Sequence, residues 1–241
     1  MIHLSIKTLS AALVCALPLL ASAQLTGNIS LTSNYKSRGQ DQDVSKTKAF
    51  KPALQGGFDY AFGESGWYVG NWNSSVDWLS GNSFEADFYG GYKFKAGDVD
   101  MDVGALTYAY PGNSVGNTTE LYGAATFGPV TAKYSHTVSK DYFGWASTKP
   151  GQSGRNTGYL NFAFAQEVAP HVTLKASLGF TRFATDIKDL GVPNYMDYSV
   201  GGAYDFGSGL SLGAAVVGAN KKAYFGDANK ARVVVNLTKT L

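Results

Sequence analysis

The stretch Phe84-Glu85-Ala86-Asp87-Phe88-Tyr89-Gly90-Gly91-Tyr92-Lys93-Phe94-Lys95 decides the fold. Phe84, Ala86, Phe88, Gly90, Tyr92 and Phe94 hold one parity, and Glu85, Asp87, Tyr89, Gly91, Lys93 and Lys95 hold the other. A helix would scatter both sets around its axis, whereas a strand sends successive side chains to opposite faces. Every charge therefore lies on one face of a strand. The turn Ala96-Gly97-Asp98 and a second alternating run over 99–110 follow. Folding back on that turn sets Lys95 opposite Asp100 and Lys93 opposite Asp102, and opposite charges across an antiparallel pair attract.

The same period runs outward in both directions. Leu25, Ile29, Leu31 and Tyr35 alternate with Thr26, Asn28, Ser30, Thr32, Asn34, Lys36 and Arg38. Twelve strands are expected, at about 25–39, 51–62, 67–78, 84–95, 99–110, 119–127, 130–142, 158–167, 172–183, 197–206, 210–220 and 229–241. Those at 119–127 and 210–220 carry apolar residues on both parities, which leaves their facing open. Gly63 to Gly66, Ala96 to Asp98, Gly128-Pro129, Val168 to His171 and Gly207 to Gly209 are short, Gly- or Pro-marked turns. The intervening connections at 40–50, 111–118, 143–157, 184–196 and 221–228 are longer and polar, and only 79–83 is brief. An even strand count with turns and loops in alternation is the pattern of an outer-membrane β-barrel, its turns and both termini periplasmic. Aromatic residues cluster by the turns (Tyr60, Phe62, Trp67, Tyr68, Tyr92, Phe94, Phe127, Tyr204, Phe206), and Trp78, Phe84 and Tyr108 suggest a second girdle at the far ends.

Composition agrees. The 241 residues include 29 Gly and 33 Phe, Tyr and Trp, and only 38 are charged, for a net charge of +2. That excludes a disordered chain, a coiled coil and collagen, and the lack of a basic run argues against nucleic acid. Lys7, the apolar run Leu9 to Leu20 and Ala21-Ser22-Ala23 read as a signal peptide over 1–23, cleaved before Gln24. Residues 24–241 then form a single barrel domain. Cys15, the only cysteine, lies in the apolar run, so disulfides, thiolate catalysis and Cys-based zinc sites are not expected in the exported chain. After Gln24 no apolar run approaches the roughly 18 residues of a membrane helix.

Alternation does not itself say which face is inside, so a soluble sandwich or lipocalin-like barrel is the alternative fold. Twelve strands favour the membrane, since about eight suffice to fill a soluble barrel. The polar parity then lines a lumen, because a Lys or Arg facing lipid at the midplane costs roughly 2 to 4 kcal/mol. Asn28, Asn73, Asn117 and Asn236, each opening an Asn-x-Ser/Thr triplet, are read as lumen positions. Enzymatic readings are weak. His136 falls on the lipid parity beside Tyr134 and Val138, His171 lies in a turn, and Asp98, Asp100 and Asp102 lack the glycine and bidentate Glu of a calcium loop. No catalytic residue, metal or cofactor is expected.

Several phrases resemble the TorF family of outer-membrane porins, also catalogued as the Gcw conserved hypothetical family. They are Thr32-Ser33-Asn34-Tyr35 with Arg38-Gly39, Pro52 to Tyr60, Gly66 to Asp77, Glu85, Asp87, Tyr89 to Tyr92, Tyr110-Pro111-Gly112, Glu120 with Tyr122-Gly123, and Gly158-Tyr159-Leu160. Ser37 stands where the family usually has an aromatic residue, and Leu241 where such barrels usually end in Phe. The resemblance implies a porin-like barrel whose partners are outer-membrane lipid, small polar solutes or ions and the barrel-insertion machinery.

The expected function is a passive channel for small polar solutes. The alternative is a closed barrel with a structural or adhesive role through its outer loops, mainly Gly144 to Thr157. Running the strands alternately up and down puts Lys36, Arg38, Lys51 and Arg232 on one wall of the outer lumen and Asp77, Glu85, Asp87 and Glu120 on the facing wall. These eight are the candidate pore-lining residues, and the two walls would set a transverse field. The loop pattern is testable. Single cysteines at Ser80, Ser153 and Lys222 should react with an impermeant reagent on whole cells, and those at Ser65 and Ser208 should not. The opposite labelling would invert the topology.

Overall fold

The computed structural model describes residues 24–44, 50–147 and 149–241. The expected signal peptide lies outside the described residues. Twelve antiparallel strands of 8 to 13 residues close a barrel, in the order β1 (Gln24–Thr32), β4 (Ala53–Ala61), β5 (Trp67–Ser75), β6 (Phe84–Ala96), β7 (Val99–Ala109), β8 (Thr118–Phe127), β9 (Val130–Thr137), β10 (Gly158–Ala169), β11 (Val172–Arg182), β12 (Tyr195–Gly207), β13 (Leu210–Ala219) and β14 (Arg232–Thr240). Strand β14 pairs with β1, joining Leu237 to Leu31, so no barrel edge is left open. Two short strands, β2 (Lys36–Ser37) and β3 (Gln40–Asp41), form a separate hairpin after β1.

The polarity is inside out. Leu25, Leu31, Phe58, Phe88, Leu121, Val200 and Val233 stand exposed on the outer face, while Glu85, Glu120, Thr118, Thr137, Asn161 and Asp197 are buried within. Hydrocarbon accepts the first set, and only a polar interior accepts the second. This overturns the soluble alternative and settles the two ambiguous strands. Glu120 and Tyr122 of β8 point in and Leu121 and Phe127 out, and in β13 Leu210, Leu212 and Val216 point out. Outer-face ring pairs near the short turns, Tyr60 with Phe62 at 4.9 Å, Trp67 with Tyr92 at 5.0 Å and Tyr204 with Phe206 at 5.0 Å, form a girdle.

The hairpin β6–β7 has the expected register, Lys95 opposite Asp100 and Lys93 opposite Asp102, with a 2.6 Å ion pair between Lys95 and Asp100. Both of its side chains are more than half exposed, so the pair adds little stability. Three expectations need correction. The first, third and seventh expected strands stop at Thr32, Ser75 and Thr137, because the chain beyond them turns into the lumen or its mouth. Of the far girdle only Phe84 faces out; Tyr108 packs on Phe143 at 4.9 Å and Trp78 on Tyr110 at 5.0 Å, and Tyr68 of the near girdle points into the lumen instead, where it donates to Asp102. Tyr108 shares the parity of Asp100 and Asp102, which already directed it inward. Asn73 lies on the outer face, where its amide is satisfied by Asn71 Oδ1 at 2.6 Å and the Gly56 carbonyl at 3.2 Å.

Inward glycines make room for flat tyrosines. Tyr122 lies opposite Gly104, where a Cβ would come within 2.5 Å of its hydroxyl, and Tyr68 lies opposite Gly91, where a Cβ would come within 2.7 Å. Gly104→Val should therefore destabilise the barrel by about 1 to 3 kcal/mol, the usual cost of overpacking. Urea unfolding in lipid vesicles, followed by tryptophan emission, measures it; an unchanged midpoint would show that the tyrosine moves aside freely.

Candidate functional site in the barrel lumen

At the end of the long loops, the chain after β1 folds into the lumen. Ser33 N–H donates to the Val235 carbonyl at 2.8 Å, Gln42 N–H to Tyr35 at 2.9 Å, and Asp77 N–H to Gln42 at 2.8 Å, which ties the segment to β14 on one side and to the end of β5 on the other. The hairpin β2–β3 projects from this base. Its two turn residues have positive φ, 47° at Arg38 and 75° at Gly39, as a two-residue type I′ turn requires. A Cβ on Gly39 would lie 2.6 Å from both Asp197 Cβ and the Gly218 carbonyl oxygen, so the tip is pressed against β12 and β13. Only glycine fits there.

From that wall Arg38 reaches the opposite one. Its Nη2 pairs with Glu120 Oε2 of β8 at 2.6 Å and donates to Tyr108 of β7 at 3.4 Å, and Nη1 donates to Tyr142 at 2.9 Å. The guanidinium carbon lies 4.3 Å from the centre of the Tyr159 ring of β10. Burial alone would lower the Arg38 pKa, but Glu120 and the neighbouring tyrosines outweigh it and push it up. Burial also pushes the Tyr142 hydroxyl up to about 12, so it stays protonated. An arginine in the left-handed region is strained by roughly 1 to 2 kcal/mol. The contacts at its far end hold it there.

The hairpin root is charged. Asp41 takes Lys36 at 2.8 Å on one oxygen and Arg232 at 2.8 Å on the other, and Lys36 also donates to the Gly39 and Ala228 carbonyls, each at 3.0 Å. Lys51 donates to the Asp43 carbonyl at 2.6 Å. On the far side Glu85 accepts from Tyr35 at 2.8 Å and Tyr110 at 2.5 Å. Burial first and Glu85 second raise both tyrosines well above the usual phenol range, so each remains a donor. Glu85, Glu120 and Tyr110 are each only 1% exposed. A side chain lining a water-filled passage would be wetted by it, so this half of the lumen is filled by side chains.

The half near the short turns is more open. Tyr68 donates to Asp102 at 2.7 Å and shares a hydrogen bond with Tyr122. Lys133 sits 4.0 Å over Tyr122, Lys93 sits 4.7 Å over Tyr68, and Tyr89 donates to Asp59 at 2.6 Å. Lys93, Asp102, Lys133 and Lys175 are only half-buried there, less enclosed than Glu85 and Glu120.

The eight candidate residues fall into three settings. Lys36 and Arg38 lie on the hairpin and not, as expected, at the outer end of the first strand, because the Arg38-Gly39 turn reverses the chain inside the lumen. Glu85, Asp87 and Glu120 are buried on β6 and β8. Lys51 and Arg232 border the hairpin root, while Asp77 lies in the loop after β5 with its backbone bonded to 42 and 44. The structure brings Arg38 onto Glu120 and Lys36 with Arg232 onto Asp41. Asp41 and the tyrosines Tyr35, Tyr108, Tyr110, Tyr142 and Tyr159 were missed by sequence reasoning. Arg38-Gly39 was the available turn signal, and it would have set Asp41 opposite Lys36.

A family model described as a bacterial protein of unknown function (Gcw_chp) matches residues 20–241. No curated protein matches the sequence. Among solved structures the chain is similar to the KdgM porin, also solved in complex with disordered oligogalacturonate, at TM-score 0.55 and 8% identity over 89% of this chain and 97% of that one. It is likewise similar to the NanC porin, at TM-score 0.55 and 11% identity over 90% of this chain and 98% of that one. At such identities the likeness is one of fold.

The crossing pair makes a stability test. Arg38→Met leaves Glu120 buried without its cation and should cost about 3 to 5 kcal/mol, most of it recovered in the Arg38→Met/Glu120→Gln double variant. Urea unfolding of the four proteins in vesicles gives the coupling. A coupling near zero would mean that the two side chains do not meet.

Proposed function

The chain belongs to the bacterial Gcw_chp family, a family of unknown function, and from its barrel we propose that it is an outer-membrane channel for passive diffusion of small polar solutes, closed at rest by the inward hairpin. The porin role attached to the TorF name is part of this proposal. The observation that carries it is the asymmetry of the lumen. At the short-turn end the inward Lys93, Asp102, Lys133 and Lys175 are only half-buried, and at the other end Arg38 crosses the lumen to Glu120 among buried side chains. A purely structural barrel has no need to leave one half of its charged interior less filled. The similarity to porin folds supports the same reading.

In this reading residues 1–23 direct export and are removed, the barrel-insertion machinery places the barrel in the membrane, and the long loops face outward. Lys36, Arg38, Lys51 and Arg232 with Asp77, Glu85, Asp87 and Glu120 surround the constriction. A solute passes when Arg38 parts from Glu120, and it then meets basic groups on one side and acidic groups on the other. The closed-barrel alternative, a surface role through the loops, draws its support from the filled outer lumen.

Planar-bilayer recording separates the two. Wild type should give small or infrequent conductance steps, and Arg38→Ala larger or more frequent ones. Neutralising Lys36, Arg38 and Arg232 together should shift the reversal potential in a salt gradient toward cations, and neutralising Glu85, Asp87 and Glu120 toward anions. Silence from wild type and from Arg38→Ala would favour the closed barrel.

A further inference from the structure

The long-loop mouth holds a cleft of about 350 Å³, at the small end of ligand sites. The hairpin forms its floor, with Arg38 and Gln40, and the walls come from four other loops. Trp145 meets Phe183 edge to face at 5.9 Å and Phe225 at 6.0 Å, and Tyr195 meets Phe225 at 5.3 Å. Phe225 belongs to a short helix (Lys222–Phe225) in the last loop. These rings pack on one another as one wall of the cleft, and the rest of its lining includes the polar Ser37, Gln40, Asp41 and Gln42. Such a wall suits the face or edge of another ring.

The charges specify the other end of the ligand. The contact between Arg38 and Glu120 joins one nitrogen to one oxygen, and the second oxygen, Glu120 Oε1, is buried without a hydrogen-bond partner. A guanidinium presents five N–H groups; here Nη2 uses two on Glu120 and Tyr108 and Nη1 one on Tyr142, which leaves a second Nη1 proton and Nε–H for another carboxylate. In sequence the six long loops carry twelve Lys and Arg against seven Asp, an excess that draws anions to this mouth. Asp41 also borders the cleft, but Lys36 and Arg232 neutralise it.

We propose that this cleft binds a small aromatic monocarboxylate, its ring against the wall of Trp145, Phe183 and Phe225 and its carboxylate on Arg38. Bound there, the carboxylate competes with Glu120 for the guanidinium and loosens the hairpin from the far wall. The binding step stands whether or not the barrel conducts.

Calorimetric titration of the whole refolded barrel with sodium benzoate tests it, with benzyl alcohol as the neutral isostere. Benzoate should bind saturably at one site, and benzyl alcohol at least about tenfold more weakly, as loss of a charge-assisted pair implies. Phe225→Ala and Arg38→Lys should each weaken benzoate about tenfold, and Lys95→Gln at the opposite end should leave it unchanged. Gel mobility of unheated protein verifies folding, and Phe225→Ala carries the test if Arg38→Lys does not fold. No saturable binding to wild type, equal affinity for benzyl alcohol, or wild-type affinity in Phe225→Ala would overturn the proposal. Conductance plays no part in these readouts, so a failed channel reading and a failed binding site remain distinguishable.

Discussion

Hydrocarbon offers no partner to a backbone N–H or C=O, and the whole structure depends on that constraint. A sheet can satisfy it only by closing on itself, so β14 must return to β1 and the barrel-forming strands must alternate apolar and polar residues. Closure then creates a second problem. The polar face of twelve strands encloses a space that must be wetted, packed or plugged. This chain packs the half near its long loops with its own first long loop and leaves the charged side chains of the other half only partly buried.

The packing works because charges are matched within a few ångströms. Arg38 meets Glu120 at 2.6 Å, and Asp41 meets Lys36 and Arg232 at 2.8 Å each. Buried charges are tolerated when paired and hydrogen-bonded, and removing one partner costs more than the intact pair contributes. The hairpin tip is therefore held on both sides of the lumen. Gly39 presses it to β12 and β13, and Arg38 anchors it to β7, β8 and β10. Any event that satisfies Glu120 otherwise, or offers Arg38 another anion, weakens the far anchor alone. In the proposed channel, a hairpin released from the far wall and still held at its root opens a path without unfolding the barrel.

Alternation made most of the fold legible. The even-odd split of Phe84 to Lys95 marked β6 and its lumen face, and the Gly97 turn set the register of Lys95 with Asp100. Alternation could not show that residues 33–41 leave the wall, because a chain turning into a polar lumen keeps its polar residues and the pattern runs on unbroken. The information lay in Arg38-Gly39, a turn dipeptide inside an apparent strand. Tyr108 was legible by parity, since it shares the face of Asp100 and Asp102. Asn73 was not, because its amide is satisfied sideways by Asn71 and the Gly56 carbonyl, a local arrangement that polarity alone does not report. The partners of the candidate charges come from elements far apart in sequence, which no local pattern encodes.

The central claim is that Arg38 bars the lumen, and accessibility across that level tests it most directly. A cysteine replacing Lys93, half-buried on β6 on the short-turn side of the hairpin, can be exposed in proteoliposomes to an impermeant charged maleimide from either side. The account expects rapid labelling from the short-turn side, negligible labelling from the long-loop side, and long-loop labelling that appears once Arg38 is replaced by alanine. Equal labelling from the long-loop side with and without Arg38 would contradict it.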